Sequence, residues 1–106
     1  MMNTKLRIST DQSQIVVHAI KELIPSLNKG EVSQFKMAAV KFRDEEIYVD
    51  GISMRCAERA LLEKASKSEY KLTRLILKNL AGSIEEQREH FQEQFKEQSM
   101  KQIFAG

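Results

Sequence analysis

The chain has 106 residues, 42% of them apolar and 30% charged, with a formal net charge of +2. That length suits one domain, or a small domain with an extension, whose buried fraction a dimer would raise. The near balance of charge excludes a protein that is basic all over, so any nucleic-acid contact has to come from a local patch.

The first element in chain order is an alternating run, Lys5-Leu6-Arg7-Ile8-Ser9. In a strand, successive side chains point to opposite faces, so Leu6 and Ile8 share one face and Lys5, Arg7 and Ser9 the other. A lone strand has two open edges and half a core. Pairing it antiparallel with the same strand of a second copy would close one edge by two-fold symmetry. The ribbon so formed carries Lys5, Arg7 and Ser9 outward, at a width that enters the major groove of double-stranded DNA.

Thr10 or Asp11 can cap a helix that follows. Its apolar residues Ile15, Val16, Ala19, Ile20, Leu23 and Ile24 recur at three- and four-residue spacing, as a helix buried on one side requires. Pro25 should end it, and Asn28-Lys29-Gly30 supplies a turn. A second helix then places Phe35, Ala38, Ala39 and Phe42 on one face. Its first turn holds Gly30, Glu31, Val32 and Ser33, and free amides there favour phosphate, with Lys29 and Ser33 positioned to help. Glu31 would compete for the same positive end.

The order strand, helix, helix is what a ribbon-helix-helix dimer needs. The run Ile15-Val16, Ile20, Ile24-Pro25, then Gly30-Glu31-x-Ser33 and Ala38-Ala39-Val40 resembles the amino-terminal domain of the adaptors of actin-type plasmid partition. Those are ribbon-helix-helix proteins that bind centromere repeats. The resemblance spans residues 3–42, with a longer Pro25–Gly30 connection here. It implies DNA binding through Lys5, Arg7, Ser9, Lys29, Gly30 and Ser33.

Arg43 to Glu46 reads as a solvated charged run. Next comes Ile47-Tyr48-Val49-Asp50-Gly51-Ile52-Ser53-Met54, where Asp-Gly between alternating apolar residues signals a hairpin over 46–55. The competing reading is a helix end, a turn and a new helix capped by Ser53. A hairpin here would also suit a winged helix, with 47–54 as the wing, 32–42 as the recognition helix, and Gln34, Lys36, Lys41 and Arg43 as contacts.

Ser53 to Ala65 reads as a helix, with Arg55 and Arg59 spaced to pair with Glu58 and Glu63. Ser68 can cap the next one, whose residues Tyr70, Leu72, Leu75, Ile76, Leu77 and Leu80 read as ordinary core. Ala81-Gly82 should close it. Ser83 and Glu86 then form a capping box for a helix over about 84–103. Its apolar stripe is sparse: Ile84, Phe91, Phe95, Met100, Ile103 and Phe104. In the partition adaptors the carboxy-terminal segment binds a filament-forming ATPase as an amphipathic helix. The resemblance carries that role onto Phe95, Met100, Ile103 and Phe104; docking on the chain's own dimer core is the alternative.

No catalytic motif and no cofactor or metal site is expected. His18 and His90 are far apart in sequence, no phosphate loop occurs, and the single cysteine rules out a disulfide framework. Cys56 has Arg55 and Arg59 nearby, which could lower its pKa, though a lone helical cysteine more often fills space. No apolar run reaches membrane-spanning length and no signal peptide is evident, so the expected compartment is the cytoplasm.

Together these elements predict a mainly α fold in three regions. A ribbon-helix-helix-like DNA-binding and dimerisation region takes residues 1–43, a helical core extension 44–82, and a polar amphipathic helix 83–106. The function expected first is a DNA-binding homodimer, a plasmid or phage partition adaptor or repressor. A relaxosome accessory protein or winged-helix-like regulator comes second. A helical protein-interaction or inhibitor protein that binds no DNA is the third.

Overall fold

The computed structural model describes residues 3–105, with side chains described as far as Gln94. The fold is mainly α, with a short antiparallel two-stranded sheet near the amino terminus. Strand β1 (Thr4–Lys5) leads into α1 (Thr10–Leu23), and a 3-10 turn, Ile24–Ser26, joins that to α2 (Lys29–Lys41). Strand β2 (Tyr48–Val49), α3 (Gly51–Lys67) and α4 (Lys71–Ala105) follow.

The first two helices form as their spacing requires. Val16, Val17, Ala19, Ile20 and Leu23 are the buried apolar side chains of α1, and Phe35, Ala38 and Ala39 those of α2, with Phe42 at its C-cap. Pro25 sits in the 3-10 turn, where its missing amide costs nothing. The cap of α1 is Ser9, one residue before the expected Thr10 or Asp11. Its Oγ accepts the Gln12 amide at 3.1 Å, and the Gln12 side chain accepts the Ser9 amide at 3.0 Å.

Helix α3 is the hub, packed against α1, α2 and α4. Ser53, Cys56, Ala57, Ala60 and Ala65 are small and buried, so three helices can approach it closely. Met54 and Leu61 fill the gaps between them, with no measurable exposure. Ion pairs tie its length to its neighbours: Lys64 to Glu22 at 3.1 Å, Arg59 to Glu31, and Glu58 to Arg88. Of the four residues expected to pair along one helix, Arg59 and Glu58 pair instead with Glu31 and Arg88 on other helices, and Arg55 and Glu63 form no ion pair among the described residues. Partly buried groups on facing helices gain more from each other than from an exposed neighbour a turn away.

The expected hairpin over 46–55 does not form. Tyr48 and Val49 pair with Lys5 and Thr4, and Asp50 ends that strand by capping α3, its Oδ1 accepting the Ser53 amide at 2.8 Å. The competing reading, a turn and a new helix, is the one adopted, with Asp50 rather than Ser53 as the cap. Without a hairpin there is no wing, so the winged-helix arrangement is absent as well.

Helix α4 also departs from expectation. It runs through Ala81-Gly82-Ser83 without a break, because Ala81 and Ile84 are buried on either side of the glycine. No described glycine has positive φ, so Gly82 does not act as a helix stop. Thirty-five residues make a rod about 52 Å long, nearly the 54 Å longest extent of the molecule. Gln92 lies beside Gly51, the first residue of α3, its Nε2 3.5 Å from where a Cβ on that glycine would stand. The rest of α4 runs past the start of its neighbour by about 20 Å.

Candidate interaction surface

The amino-terminal strand is held inside its own chain on both edges. On one side, Thr4 and Lys5 pair with Val49 and Tyr48, and the Leu6 amide donates to the Ile47 carbonyl at 2.8 Å. On the other side, the Arg7 amide donates to Gln87 Oε1 at 2.8 Å and the Arg7 carbonyl accepts from Gln87 Nε2 at 3.0 Å. The carboxamide of one α4 residue thus takes the place of a neighbouring strand. Leu6, inward as the alternation requires, is buried. The antiparallel pairing with a second copy needs an edge that Ile47–Val49 or Gln87 already fills.

The six residues expected to contact DNA fall into two separated groups. Lys5 is exposed, with Nζ 3.7 Å from a likewise exposed Glu46 carboxylate. Arg7 lines an open cleft of about 640 Å³ between β1 and α4. The Ser9 hydroxyl is committed to its helix cap. Lys29, Gly30 and Ser33 lie at the start of α2, beyond the far end of α1, and fourteen helical residues span about 21 Å. At that second group Asn28 Oδ1 already accepts the Glu31 amide at 3.0 Å, and Glu31 pairs with Arg59. The cap and the acid occupy the positive end of the helix where a phosphate was expected.

The side chains of Phe95, Met100, Ile103 and Phe104 lie outside the described residues. Of the earlier apolar residues on α4, Ile84 is buried and Phe91 packs half-buried against the core. Cys56 is buried, and its thiol is pushed up to about 11, chiefly by burial and then by Asp50, against a smaller pull from Arg59. It is a space filler, and the expected lowering by neighbouring arginines does not occur. Among the described residues no group of three or more His, Cys, Asp and Glu could hold a metal ion. Nor, among them, is any helix long and apolar enough to cross a membrane.

The largest departure from the sequence reading lies at the start of α4. Tyr70, Leu72, Leu75 and Ile76, expected as core, are 74%, 69%, 55% and 49% exposed. Only Leu77 and Leu80 of that segment are buried. The signal for this was present. Leu75, Ile76 and Leu77 are consecutive, and residues 100° apart around a helix cannot all face one partner. With Leu77 inward, Leu72, Leu75 and Ile76 point outward together, followed on the same face by Asn79, Gly82 and Ser83. Beside them runs a second stripe at helical spacing, Lys71, Arg74 and Lys78, continued by Glu85 and Glu89. All five are exposed, and none of the five forms an ion pair among the described residues.

Comparison with protein-family models, with curated proteins and with solved structures finds no match to this chain.

Proposed function

We propose that this chain is a helical interaction protein whose working surface is the outer face of α4. In this reading the amino-terminal strand is a staple that fastens the bundle, and reads no DNA. The observation that carries the reading is the exposure of Leu72, Leu75 and Ile76 on one face, flanked by charges that form no ion pair among the described residues. Burying a leucine or isoleucine side chain is worth about 1.5–3 kcal/mol. Leaving three of them side by side in water forgoes several kcal/mol in a protein of ordinary stability. Contiguous apolar area within a polar rim marks surfaces that another molecule covers.

The DNA-binding reading rested on a ribbon shared by two copies, with a phosphate held at the start of α2. Against it count the pairing of one strand edge with Ile47–Val49 and the hold of Gln87 on Arg7 at the other, the separation of the two groups of contacts at opposite ends of α1, and a net charge of +2 that adds no broad basic face.

A photo-reactive amino acid placed at position 75, and separately at position 7, tests the assignment in cells that make the protein. The reading predicts protein adducts at position 75. Nucleic-acid adducts at position 7, with no protein adduct at position 75, would refute it.

A further inference from the structure

We infer that the outer face of α4 is covered by a second copy of this chain, with the two α4 helices packed antiparallel and crossing near Asn79–Gly82. The inference rests on the reading of α4 as the interaction surface and names its occupant.

Charge order is the first support. Lys71, Arg74 and Lys78 precede Glu85 and Glu89 along a single exposed stripe. In an antiparallel pair related by a two-fold axis, the same flank of each helix meets itself end for end. The cationic half of one copy then lies against the acidic half of the other. With the axis near residue 80, Lys71 of one copy stands opposite Glu89 of the other, and Arg74 and Lys78 stand near Glu85. The arrangement occurs twice by symmetry. A parallel pair would put the two stripes on opposite sides of the interface, where they could not meet, and an antiparallel pair centred on Leu75 would set the cations of the two copies against one another.

Gly82 is the second support. Glycine inside a helix costs about 1 kcal/mol relative to alanine. Nothing within the chain asks for it, since a Cβ there would meet no atom within 4 Å. It lies on the outer face beside Ser83 and close to Asn79, where the two helices would cross. A residue without a side chain lets a second backbone approach at that point. Leu72, Leu75 and Ile76 of each copy then lie over the Ile84–Arg88 stretch of the other.

The test uses charge exchange on the full chain. One variant carries Lys71→Glu, Arg74→Glu and Lys78→Glu; the other carries Glu85→Lys and Glu89→Lys. Sedimentation equilibrium should show the natural chain at twice its chain mass and each variant alone as a monomer. The dissociation constant of each variant should rise by about a hundredfold or more, because like charges now face each other. An equimolar mixture of the two should be dimeric again.

Orientation is read by oxidative cross-linking, with Cys56 buried and out of reach. Asn79→Cys should link to itself, since the two positions lie about 3 Å apart along the axis. Tyr70→Cys should not, being about 30 Å from its mate. Variants that remain dimeric alone, or a link at 70 without one at 79, would overturn the inference. A natural chain that stays monomeric at about 100 μM, well above the dissociation constants of stable dimers, would overturn it too. Protein adducts at position 75 from that same monomer would leave the interaction surface standing with another occupant; no adduct there would remove both.

Discussion

Replacing Arg88 with methionine removes one half of the pair that fastens α4 to α3. Arg88 Nε lies 2.6 Å from Glu58 Oε2 and Nη2 lies 3.1 Å from Oε1, a two-pronged contact with both side chains nearly nine-tenths covered. The hydrogen bonding it donates to Glu58 is the largest influence on the guanidinium and holds its pKa above the ordinary value, against the opposing effect of burial. Methionine keeps the length of the side chain but leaves the Glu58 carboxylate without its partner. Breaking a fully buried pair in this way costs about 3–5 kcal/mol. Because water still reaches about a tenth of each side chain, the cost falls at or just below the bottom of that range, roughly 2–3 kcal/mol. For a chain this long that lowers the melting temperature by on the order of 10 °C. Urea unfolding followed by circular dichroism should show the midpoint fall with an unchanged slope. Glu58→Leu combined with Arg88→Met should recover to within about 1 kcal/mol of the natural protein, since no orphaned charge remains. A single variant that loses less than about 0.5 kcal/mol, or a double variant no better than the single, would refute the structural role given to this pair.

Gln87→Ala leaves the amide and carbonyl of Arg7 to water, and two exposed hydrogen bonds predict a loss of about 1–2 kcal/mol. Amide exchange at Arg7 should quicken while that in α3 does not change; equal exchange at Arg7 before and after would deny Gln87 its place on the strand edge. Asp50 caps α3. Burial pushes its carboxyl up, but the Ser53 hydrogen bonds and Lys41, 3.5 Å away, outweigh that and leave its pKa lowered. A lowered folded value means its contribution is complete above the unfolded value, about 3.9, and fades as pH falls through the folded one. Acid titration of stability should therefore be flatter below pH 4 for Asp50→Asn than for the natural chain, and parallel curves would contradict the assignment. The Cys56 thiol, buried and pushed up to about 11, should ignore a disulfide reagent at pH 8 until the protein unfolds. Its raised value adds stability that is complete below the unfolded pKa, about 8.5, and is lost as pH rises towards 11. Prompt labelling of the folded protein would place Cys56 elsewhere.

Helices α1 and α2 were legible because each buries one side only. A single stripe of apolar residues, closed by Pro25 or opened at Asn28, leaves few alternatives. The cap was harder to place, since Ser9, Thr10 and Asp11 are three good caps in a row and only packing selects among them. Asp50-Gly51 misled for a related reason. The residue that favours a hairpin turn also favours the first position of a helix, and the strand before it finds its partner more than forty residues upstream. Such a pairing leaves no local trace. Gln87 gave no sign of its role either, because a glutamine on a polar helix resembles any other. The outward turn of Leu72, Leu75 and Ile76 was hidden by the convention that apolar means inside. The consecutive Leu75-Ile76-Leu77 and the cations on either side, Arg74 and Lys78, carried the information, and α3 decides which of the three is covered.

Leu75 and Leu77 are two residues apart on the same helix, and comparing Leu75→Ala with Leu77→Ala tests the assignment of the outer face most directly. Both variants should be unfolded by urea at sub-micromolar concentration, where association contributes least. With Leu77 buried and Leu75 more than half exposed, alanine at 77 should cost about 2–5 kcal/mol and alanine at 75 less than about 0.5 kcal/mol. Equal losses at the two positions, or a larger loss at 75, would mean that Leu75 belongs to the core of the single chain and that α4 keeps no face for a partner.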